Sequence, residues 1–163
     1  MAQIYAEEHP IKSAVIREIC GKKSEICGKK IKSKIMEQKT ENDISYLIRG
    51  AIFKIYNELG PGLLESVYET VLSFELRKQG LEVKNQVPLP VFYEGTKLEL
   101  GFRLDLLVNE KVVVEIKSVE NLAEVHHKQV LTYLKLSNLK LGILVNFNVD
   151  NIEKGIFRKV NGL

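Results

Sequence analysis

Two acidic residues and one lysine interrupt an apolar stretch of the sequence, residues 101–117. Asp105 lies in its first half, Glu115 and Lys117 lie in its second half, and residues 109–111 (Asn-Glu-Lys) form a short polar turn between them. Each half reads as a strand that is apolar on both faces, which is typical of the centre of a sheet. A buried carboxylate needs a cation or strong hydrogen bonds to offset its lost hydration. The stretch therefore predicts a buried charged cluster that could hold a cation.

The length of the turn decides whether these charges meet. Glu115 and Lys117 point to one face because side chains alternate along a strand. With a three-residue loop at 109–111, Asp105 lies directly opposite Glu115 on that face. With a two-residue loop at 109–110, the side chains turn away from each other. We predict the three-residue register.

Length and composition fit one soluble domain with a real core. The chain has 163 residues, of which 45% are apolar and 28% charged, as in an ordinary globular protein. No apolar run approaches the roughly 20 residues that a membrane span needs. The first residues are polar and charged, unlike a signal peptide. We expect a cytoplasmic protein with no membrane partner.

The net charge of +3 is unevenly distributed. Residues 1–40 carry nine Lys or Arg against five Asp or Glu, whereas residues 41–163 carry fifteen against sixteen. The predicted folded part is therefore not a basic protein. Any contact with nucleic acid would need a local basic patch.

Residues 1–40 are expected to be a basic, disordered or weakly helical leader, separate from a domain at residues 41–163. The leader repeats Glu-Ile-Cys-Gly-Lys-Lys, and each copy holds one cysteine, Cys20 and Cys27. A zinc site wants four ligands, and only His9 lies nearby, so we do not expect zinc. A disulfide is not expected in a reducing compartment. Met36 could be the true start, and a basic tail that grips nucleic acid is the remaining interpretation.

Two amphipathic helices precede the predicted sheet. Apolar residues recur at three- and four-residue steps over residues 44–59, with Asn42 or Asp43 as the N-terminal cap. Gly-Pro-Gly at 60–62 ends this helix in a tight turn. A second helix is predicted over residues 63–78.

The second helix carries Glu65 in its first turn and ends at Gly80. Tyr68 shares a face with Glu65, because positions i and i+3 are neighbours on a helix. From these residues alone, Glu65 could simply complement the helix dipole.

The rest of the chain predicts strands and one more helix. The short strand candidates are residues 81–84, 90–93 and 97–100, and the prolines at 88 and 90 favour an edge or a bend. After the hairpin, a helix is expected at 122–136, a buried strand at 141–147 and an edge strand at 155–160. The two helices, the short strands, the hairpin, the third helix and the last two strands together predict a mixed α/β fold.

The third helix presents His126, Gln129, Val130 and Tyr133 on one stripe. Such polar side chains are most often satisfied groups with no further role. A buried ion pair of Lys117 with either Glu115 or Asp105 is likewise the structural alternative to a metal site. We favour the metal site, because a buried ion pair adds little stability compared with apolar replacements.

The ordered set of these motifs resembles the PD-(D/E)XK nuclease superfamily. It consists of Asp105, then Glu-Ile-Lys at 115–117, then Gln-x-x-x-Tyr at 129–133. Within that superfamily the chain looks most like the GxxExxY family, through Gly-Leu-Leu-Glu-Ser-Val-Tyr at 62–68. The resemblance covers roughly residues 41–163. One departure is that a leucine stands where the superfamily name has its proline, before Asp105.

The resemblance implies an α/β fold with a central mixed sheet flanked by helices. It also implies a set of catalytic residues, which are Glu65, Asp105, Glu115 and Lys117. The three acids and the carbonyl of Ile116 would bind Mg²⁺, which prefers oxygen ligands and for which Mn²⁺ could substitute. Tyr68, His126, Gln129 and Tyr133 would contact substrate or support the site. The neighbours of Lys117 leave both a raised and a lowered pKa open.

The resemblance favours a Mg²⁺-dependent nuclease that acts on DNA. The alternatives are a nucleic-acid- or protein-binding module on the same fold with little turnover, and a structural or oligomerisation domain. No basic stripe with interleaved aromatic residues indicates single-strand binding. DNA or RNA, strandedness, and monomer or homodimer all stay open at this point.

Overall fold

The computed structural model describes residues 39–98 and 102–163. Residues 1–38, including Cys20, Cys27 and Met36, lie outside the described residues. The predictions for the leader, and its division from the domain, therefore stay predictions.

Within residues 39–98 and 102–163, three long helices, one short helix and seven strands form an α/β domain. Their bounds, in chain order, are α1 Glu41–Leu59, α2 Glu65–Lys78, β1 Val83–Pro88, β2 Val91–Tyr93, β3 Thr96–Leu98, β4 Arg103–Val108, β5 Val112–Lys117, α3 Glu124–Ser137, β6 Leu141–Asn146, α4 Ile152–Gly155 and β7 Ile156–Val160. The central sheet has the order β1-β4-β5-β6-β7, and β2 and β3 pair separately. Only β5 and β6 run parallel among the neighbours in the central sheet. The predicted mixed sheet flanked by helices is confirmed.

The hairpin of β4 and β5 has the predicted three-residue loop. Leu106 pairs with Val114, and Val108 pairs with Val112, which leaves residues 109–111 outside the ladder. The apolar pattern also predicted the position of these strands in the sheet, since β5 is its middle strand. The register thus aims Asp105 and Glu115 at one face of the sheet.

Both faces of the sheet are covered. Helices α1 and α2 pack through Ile48, Ile52 and Leu72 against a face formed by Ile116 and Ile143, among others. Helix α3 packs against the opposite face. The charged residues of β5 belong to this opposite face, because Val113 lies in the α3 cluster and Glu115 and Lys117 follow it at two-residue steps.

Gly142 in β6 lets α3 approach the sheet closely. A Cβ at this position would lie 2.7 Å from Cγ1 of Val130, closer than side chains tolerate. The absence of a side chain at Gly142 therefore sets the distance between α3 and the sheet. The same distance determines how far Gln129 and Tyr133 lie from the strands.

Several predicted boundaries were wrong. The cap of α1 is Thr40, whose hydroxyl accepts the Asp43 N–H while Asp43 accepts the Thr40 N–H, so Asp43 completes a capping box. Strand β1 extends to Pro88 and was predicted too short; it lies at the sheet edge, where proline is tolerated. Helix α3 begins at Glu124, and the short helix α4 was not predicted.

Within the two described ranges, no helix combines the length and apolarity needed to cross a membrane.

Candidate active site

Asp105 replaces a backbone acceptor at the point where the β4–β5 ladder stops. The last paired residues are Leu106 and Val114. Beyond them, Oδ2 of Asp105 accepts the backbone N–H of Ile116 at 2.8 Å. The carboxylate therefore lies between the two strands, fixed by a charge-assisted hydrogen bond.

Glu115 and Lys117 form a buried ion pair on β5. Nζ of Lys117 lies 2.7 Å from Oε1 of Glu115, and the side chains are 16% and 3% exposed. The second oxygen, Oε2 of Glu115, is buried and has no hydrogen-bond partner among residues 39–98 and 102–163. A buried carboxyl oxygen without a partner is costly, which makes Oε2 of Glu115 a candidate ligand atom.

Glu65 reaches the end of β5 from the start of α2. Its Oε1 accepts the backbone N–H of Ser118 at 3.0 Å, and the Ser118 hydroxyl donates to the carbonyl of Leu63 at 2.6 Å. The loop before Glu65 turns at Gly62, whose φ of +96° lies in the left-handed region that favours glycine. This explains why a glycine stands three residues before the acid.

Tyr68 fixes that loop from inside the core. Its ring is fully buried and stacks on Phe147 with the centroids 4.1 Å apart. Its hydroxyl donates to the carbonyl of Gly60 at 2.7 Å and accepts the N–H of Leu63 at 3.2 Å. Because Tyr68 has no exposed surface, it can support the site but cannot contact a substrate.

The charges of the site act strongly on one another. Burial raises the pKa of Glu115 to about 7, and the charges of Asp105 and Glu65 push it in the same direction, against the hydrogen bond from Lys117. Burial likewise raises the pKa of Asp105, against the hydrogen bond from Ile116. These interactions bring Glu65, Asp105 and Glu115 into one electrostatic cluster.

Lys117 remains an ammonium in this cluster. Burial alone would lower the pKa of Lys117, but its hydrogen bond with Glu115 and the charges of Glu115, Asp105 and Glu65 together raise it above the ordinary value. The raised pKa of Lys117 and that of Glu115 have one explanation, since three carboxylates share a single ammonium. The cluster carries surplus negative charge when all its groups are ionised.

The polar stripe of α3 lies beside this cluster. Nε2 of Gln129 donates to the hydroxyl of Tyr133 at 2.5 Å. The pKa of Tyr133 is raised by burial first, and the charge of Glu115 contributes. His126 faces the helix start, where its Nδ1 accepts the N–H of Ala123 at 3.2 Å. That bond leaves Nε2 of His126 as the atom that could still meet a substrate.

An open cavity of about 560 Å³ adjoins Glu65. Its other lining residues include Leu64, Ser66, Ser118 and Asn148. The cavity leaves Glu65 and Ser118, at the end of β5, accessible to solvent.

A family model described as the PD-(D/E)XK nuclease superfamily matches residues 42–159. The chain belongs to the PD-(D/E)XK nuclease superfamily. Its members are generally nucleases and typically use divalent metals. Membership in the narrower GxxExxY family stays a prediction.

A solved structure titled "Crystal structure of SSO0001" is 21% identical to this chain, with a TM-score of 0.47. The alignment covers 86% of this chain and 78% of that one. No curated protein matches the chain significantly.

The acidic cluster fits the hard divalent cation that superfamily members typically use. Among residues 39–98 and 102–163, no three His, Cys, Asp or Glu side chains stand in a ready-made arrangement for a metal ion. Glu65 and Glu115 each direct one oxygen to a protein donor instead, and Asp105 accepts hydrogen bonds at both of its oxygens. The donor set is nevertheless all oxygen, and Oε2 of Glu115 is buried with no partner from the residues that the structure describes. Oxygen donors with surplus negative charge are what Mg²⁺ and Mn²⁺ prefer.

The sequence interpretation missed Asn146, which holds the segment after Lys117. Its Oδ1 accepts the N–H of Val119 at 3.0 Å, and its Nδ2 donates to the Val119 carbonyl at 2.7 Å. These two hydrogen bonds to the backbone fix the position of the neighbouring Ser118, whose N–H in turn holds Glu65. A polar residue at the end of an otherwise apolar strand was a signal that could have identified Asn146.

Two further residues near Asp105 were also missed. Gln86, on the neighbouring strand β1, has a φ of +51°. A residue other than glycine in this region costs on the order of 1–3 kcal/mol, and such residues cluster at functional sites. The charge of Glu69 contributes to the raised pKa of Asp105. No pattern in the sequence distinguishes Gln86 or Glu69 from ordinary surface polar residues.

Proposed function

We propose that this protein is a Mg²⁺-dependent nuclease that hydrolyses phosphodiester bonds in DNA, with Mn²⁺ as a substitute ion. The observation that carries the proposal is Oε2 of Glu115, which is buried without a partner in the described part of the chain, in a carboxyl whose pKa is raised by burial and then by the charges of Asp105 and Glu65. If these carboxyls had no ligand role, their mutual repulsion would destabilise the folded protein with no compensating gain.

Glu65, Asp105 and Glu115 supply the carboxylate ligands in this proposal, and Ile116 supplies its backbone carbonyl. The N–H of Ile116 points to Asp105, whereas the carbonyl of Lys117 accepts from Phe147 on the β6 side. Since the N–H and C=O of one strand residue point towards the same neighbour, the carbonyl of Ile116 faces the gap beside Asp105. It is therefore available on the same side as the acids.

The chemistry that a divalent cation supplies when bound is a more acidic water and compensation for charge that develops on the phosphate. The remaining roles, which are to orient the water and to bind the phosphate, fall to side chains of the protein. Because its pKa is raised in the metal-free protein, Lys117 would act as a donor that orients the attacking water or stabilises the phosphate. Gln129 and Tyr133, joined to each other, lie where they can hold a phosphate oxygen or a carboxylate of the site.

A cleavage assay tests this proposal. Purified protein is incubated with labelled single-stranded, double-stranded and branched DNA, and with RNA of the same forms, in Mg²⁺, Mn²⁺ or EDTA. We expect cleavage of DNA that needs the metal and is abolished in Glu115→Gln and Lys117→Met.

The ion pair of Lys54 and Glu75 supplies a matched control. These side chains join α1 and α2 at 2.9 Å, with the same pair of residue types as the site. Lys54→Met and Glu75→Gln should cleave like the wild type. Cleavage that survives in both site variants would overturn the proposal. Mn²⁺ binding without cleavage of any substrate would indicate the alternative, a binding module on the same fold.

A further inference from the structure

Strand β1 is distorted at the residue that faces Asp105. Asn85 pairs with Leu106 and Val87 pairs with Leu104, so Gln86 stands opposite Asp105 in an unbroken register. Gln86 and Asp105 nevertheless do not form a ladder pair, and the φ of Gln86 is +51°. No residue is inserted on either side, so the distortion is not a bulge that corrects a mismatch in strand length.

The distortion lets two successive side chains hold one carboxylate. Nδ2 of Asn85 donates to Oε1 of Glu69 at 3.0 Å, and Nε2 of Gln86 donates to Oε2 of Glu69 at 2.7 Å. Successive residues of a regular strand point to opposite faces and could not share a partner in this way. The left-handed backbone of Gln86 breaks this alternation.

The same amide of Gln86 also reaches Asp105. Its Nε2 lies 3.4 Å from Oδ1 of Asp105, the oxygen that the Ile116 N–H does not hold. An amide nitrogen carries two hydrogens, one for Glu69 and one for Asp105. Asp105 is thus held from both sides, by the backbone of β5 through Oδ2 and by Gln86 through Oδ1.

We propose that Gln86 is a positioning residue for Asp105, and that Glu69 holds Gln86 in place. The inference rests on the proposed function, in which Asp105 is a metal ligand. Gln86 sets the direction of the carboxylate oxygen that meets the cation. Glu69 accepts a hydrogen bond at each oxygen, and Ser73 of the same helix α2 holds Asn85, one of the two donors, by donating to its Oδ1 at 2.8 Å.

Two substitutions separate positioning from backbone structure. Gln86→Gly removes the side chain and suits the left-handed backbone, so the fold should stay intact. Gln86→Glu keeps the side-chain length, cannot donate when ionised, and repels both Glu69 and Asp105. Asn138→Gly is the matched control, because Asn138 has a φ of 55° at the end of α3.

Mn²⁺ affinity, measured by calorimetry, is the first readout. We expect Gln86→Gly to bind Mn²⁺ about 10- to 100-fold more weakly than the wild type, as is usual for residues that orient metal ligands. Gln86→Glu should bind no better than Gln86→Gly. Asn138→Gly should match the wild type, and the thermal midpoint of Gln86→Gly should change no more than that of Asn138→Gly.

A double-mutant cycle without metal is the second readout. Gln86→Gly and Asp105→Asn should have non-additive effects on the thermal midpoint, because the two residues contact each other. Equal Mn²⁺ affinity of wild type and Gln86→Gly, or additive effects in the cycle, would overturn the inference. A wild-type protein that binds no Mn²⁺ would overturn the proposed function instead.

Discussion

The carboxylate of Asp105 accepts the backbone N–H of Ile116 at 2.8 Å, one residue beyond the last pair of the β4–β5 ladder. A side-chain oxygen therefore replaces a main-chain carbonyl as the hydrogen-bond acceptor where two central strands separate. The gap that this creates exposes one carboxylate and, by strand geometry, one carbonyl to the same space. The proposed cation site is thus a consequence of how the sheet opens.

Asp105→Asn and Asp105→Ala should separate the structural and the metal-binding roles of this residue. Asparagine retains an oxygen acceptor for the Ile116 N–H, so the free energy of unfolding in EDTA should change little. Alanine leaves that N–H without its partner, which should lower the free energy of unfolding by about 1–3 kcal/mol. Denaturant titration measures both changes.

Both Asp105 variants should bind Mn²⁺ more weakly than the wild type, because each removes a negative charge. Equal stability of the two variants would contradict the structural role of the Asp105–Ile116 hydrogen bond. Wild-type Mn²⁺ affinity in Asp105→Asn would contradict the role of Asp105 as a metal ligand.

Glu115 should make the metal-free protein less stable as the pH rises. The pKa of Glu115 is raised from 4.5 to about 7, so the folded state holds its proton more tightly than the unfolded state. Stability is then lost between about pH 4.5 and 7 and levels off above that range. The full effect of this group is on the order of 3 kcal/mol.

Glu115→Gln removes this titration. In EDTA, the thermal midpoint of the variant minus that of the wild type should increase between pH 5 and pH 8. Glu75→Gln is the control, since the ion pair of Glu75 with Lys54 lowers the pKa of Glu75. A constant difference between Glu115→Gln and wild type over this range would show that Glu115 is ionised throughout.

The hairpin was predictable because its constraints are local. Two apolar runs and a polar trio at 109–111 allow few registers, and side-chain alternation then places Glu115 and Lys117 on one face. The Thr40 cap was also readable, because Thr-Glu-Asn-Asp at 40–43 has the spacing of a capping box. Asn42 and Asp43 lie closer to the apolar pattern, and they were predicted as the cap instead.

The contacts that fix the acids were not predictable in the same way. Glu65 meets Ser118 across 53 positions of sequence, and Gln86 meets Glu69 across 17. Such contacts depend on how the helices sit on the sheet. Spacing therefore identified Asp105, Glu115 and Lys117, and the family resemblance added Glu65, but neither indicated the groups that hold them.

Lys117→Met should affect cleavage and metal binding in opposite directions. Removal of the ammonium takes away the donor proposed to orient water or phosphate, so kcat should fall by about 10²–10⁴-fold. The carboxylates then lose their internal cation, and Mn²⁺ should bind as tightly as in the wild type or more tightly. Calorimetry and single-turnover cleavage measure the two effects.

Glu115→Gln provides the contrast, because it should weaken both Mn²⁺ binding and cleavage. Lys54→Met, on the opposite face of the sheet, should change neither. If Lys117→Met lost Mn²⁺ affinity as strongly as Glu115→Gln, the lysine would have to be assigned a role in shaping the metal site.

Tyr68→Phe should weaken the site from inside the core. The variant keeps the ring stacked on Phe147 but loses the hydroxyl that contacts Gly60 and Leu63. The loss of two hydrogen bonds should lower the free energy of unfolding by about 1–2 kcal/mol. Because the loop leads directly into Glu65, Mn²⁺ affinity should fall as well.

Tyr56→Phe is the matched control for Tyr68→Phe. It also removes a tyrosine hydroxyl that donates to a backbone carbonyl, that of Val149, but it leaves the loop at 60–63 untouched. A similar loss of stability with unchanged Mn²⁺ affinity is expected for Tyr56→Phe. If the two variants lost stability but neither lost Mn²⁺ affinity, Tyr68 would serve the core alone, and the spacing of Gly62, Glu65 and Tyr68 would need no functional explanation.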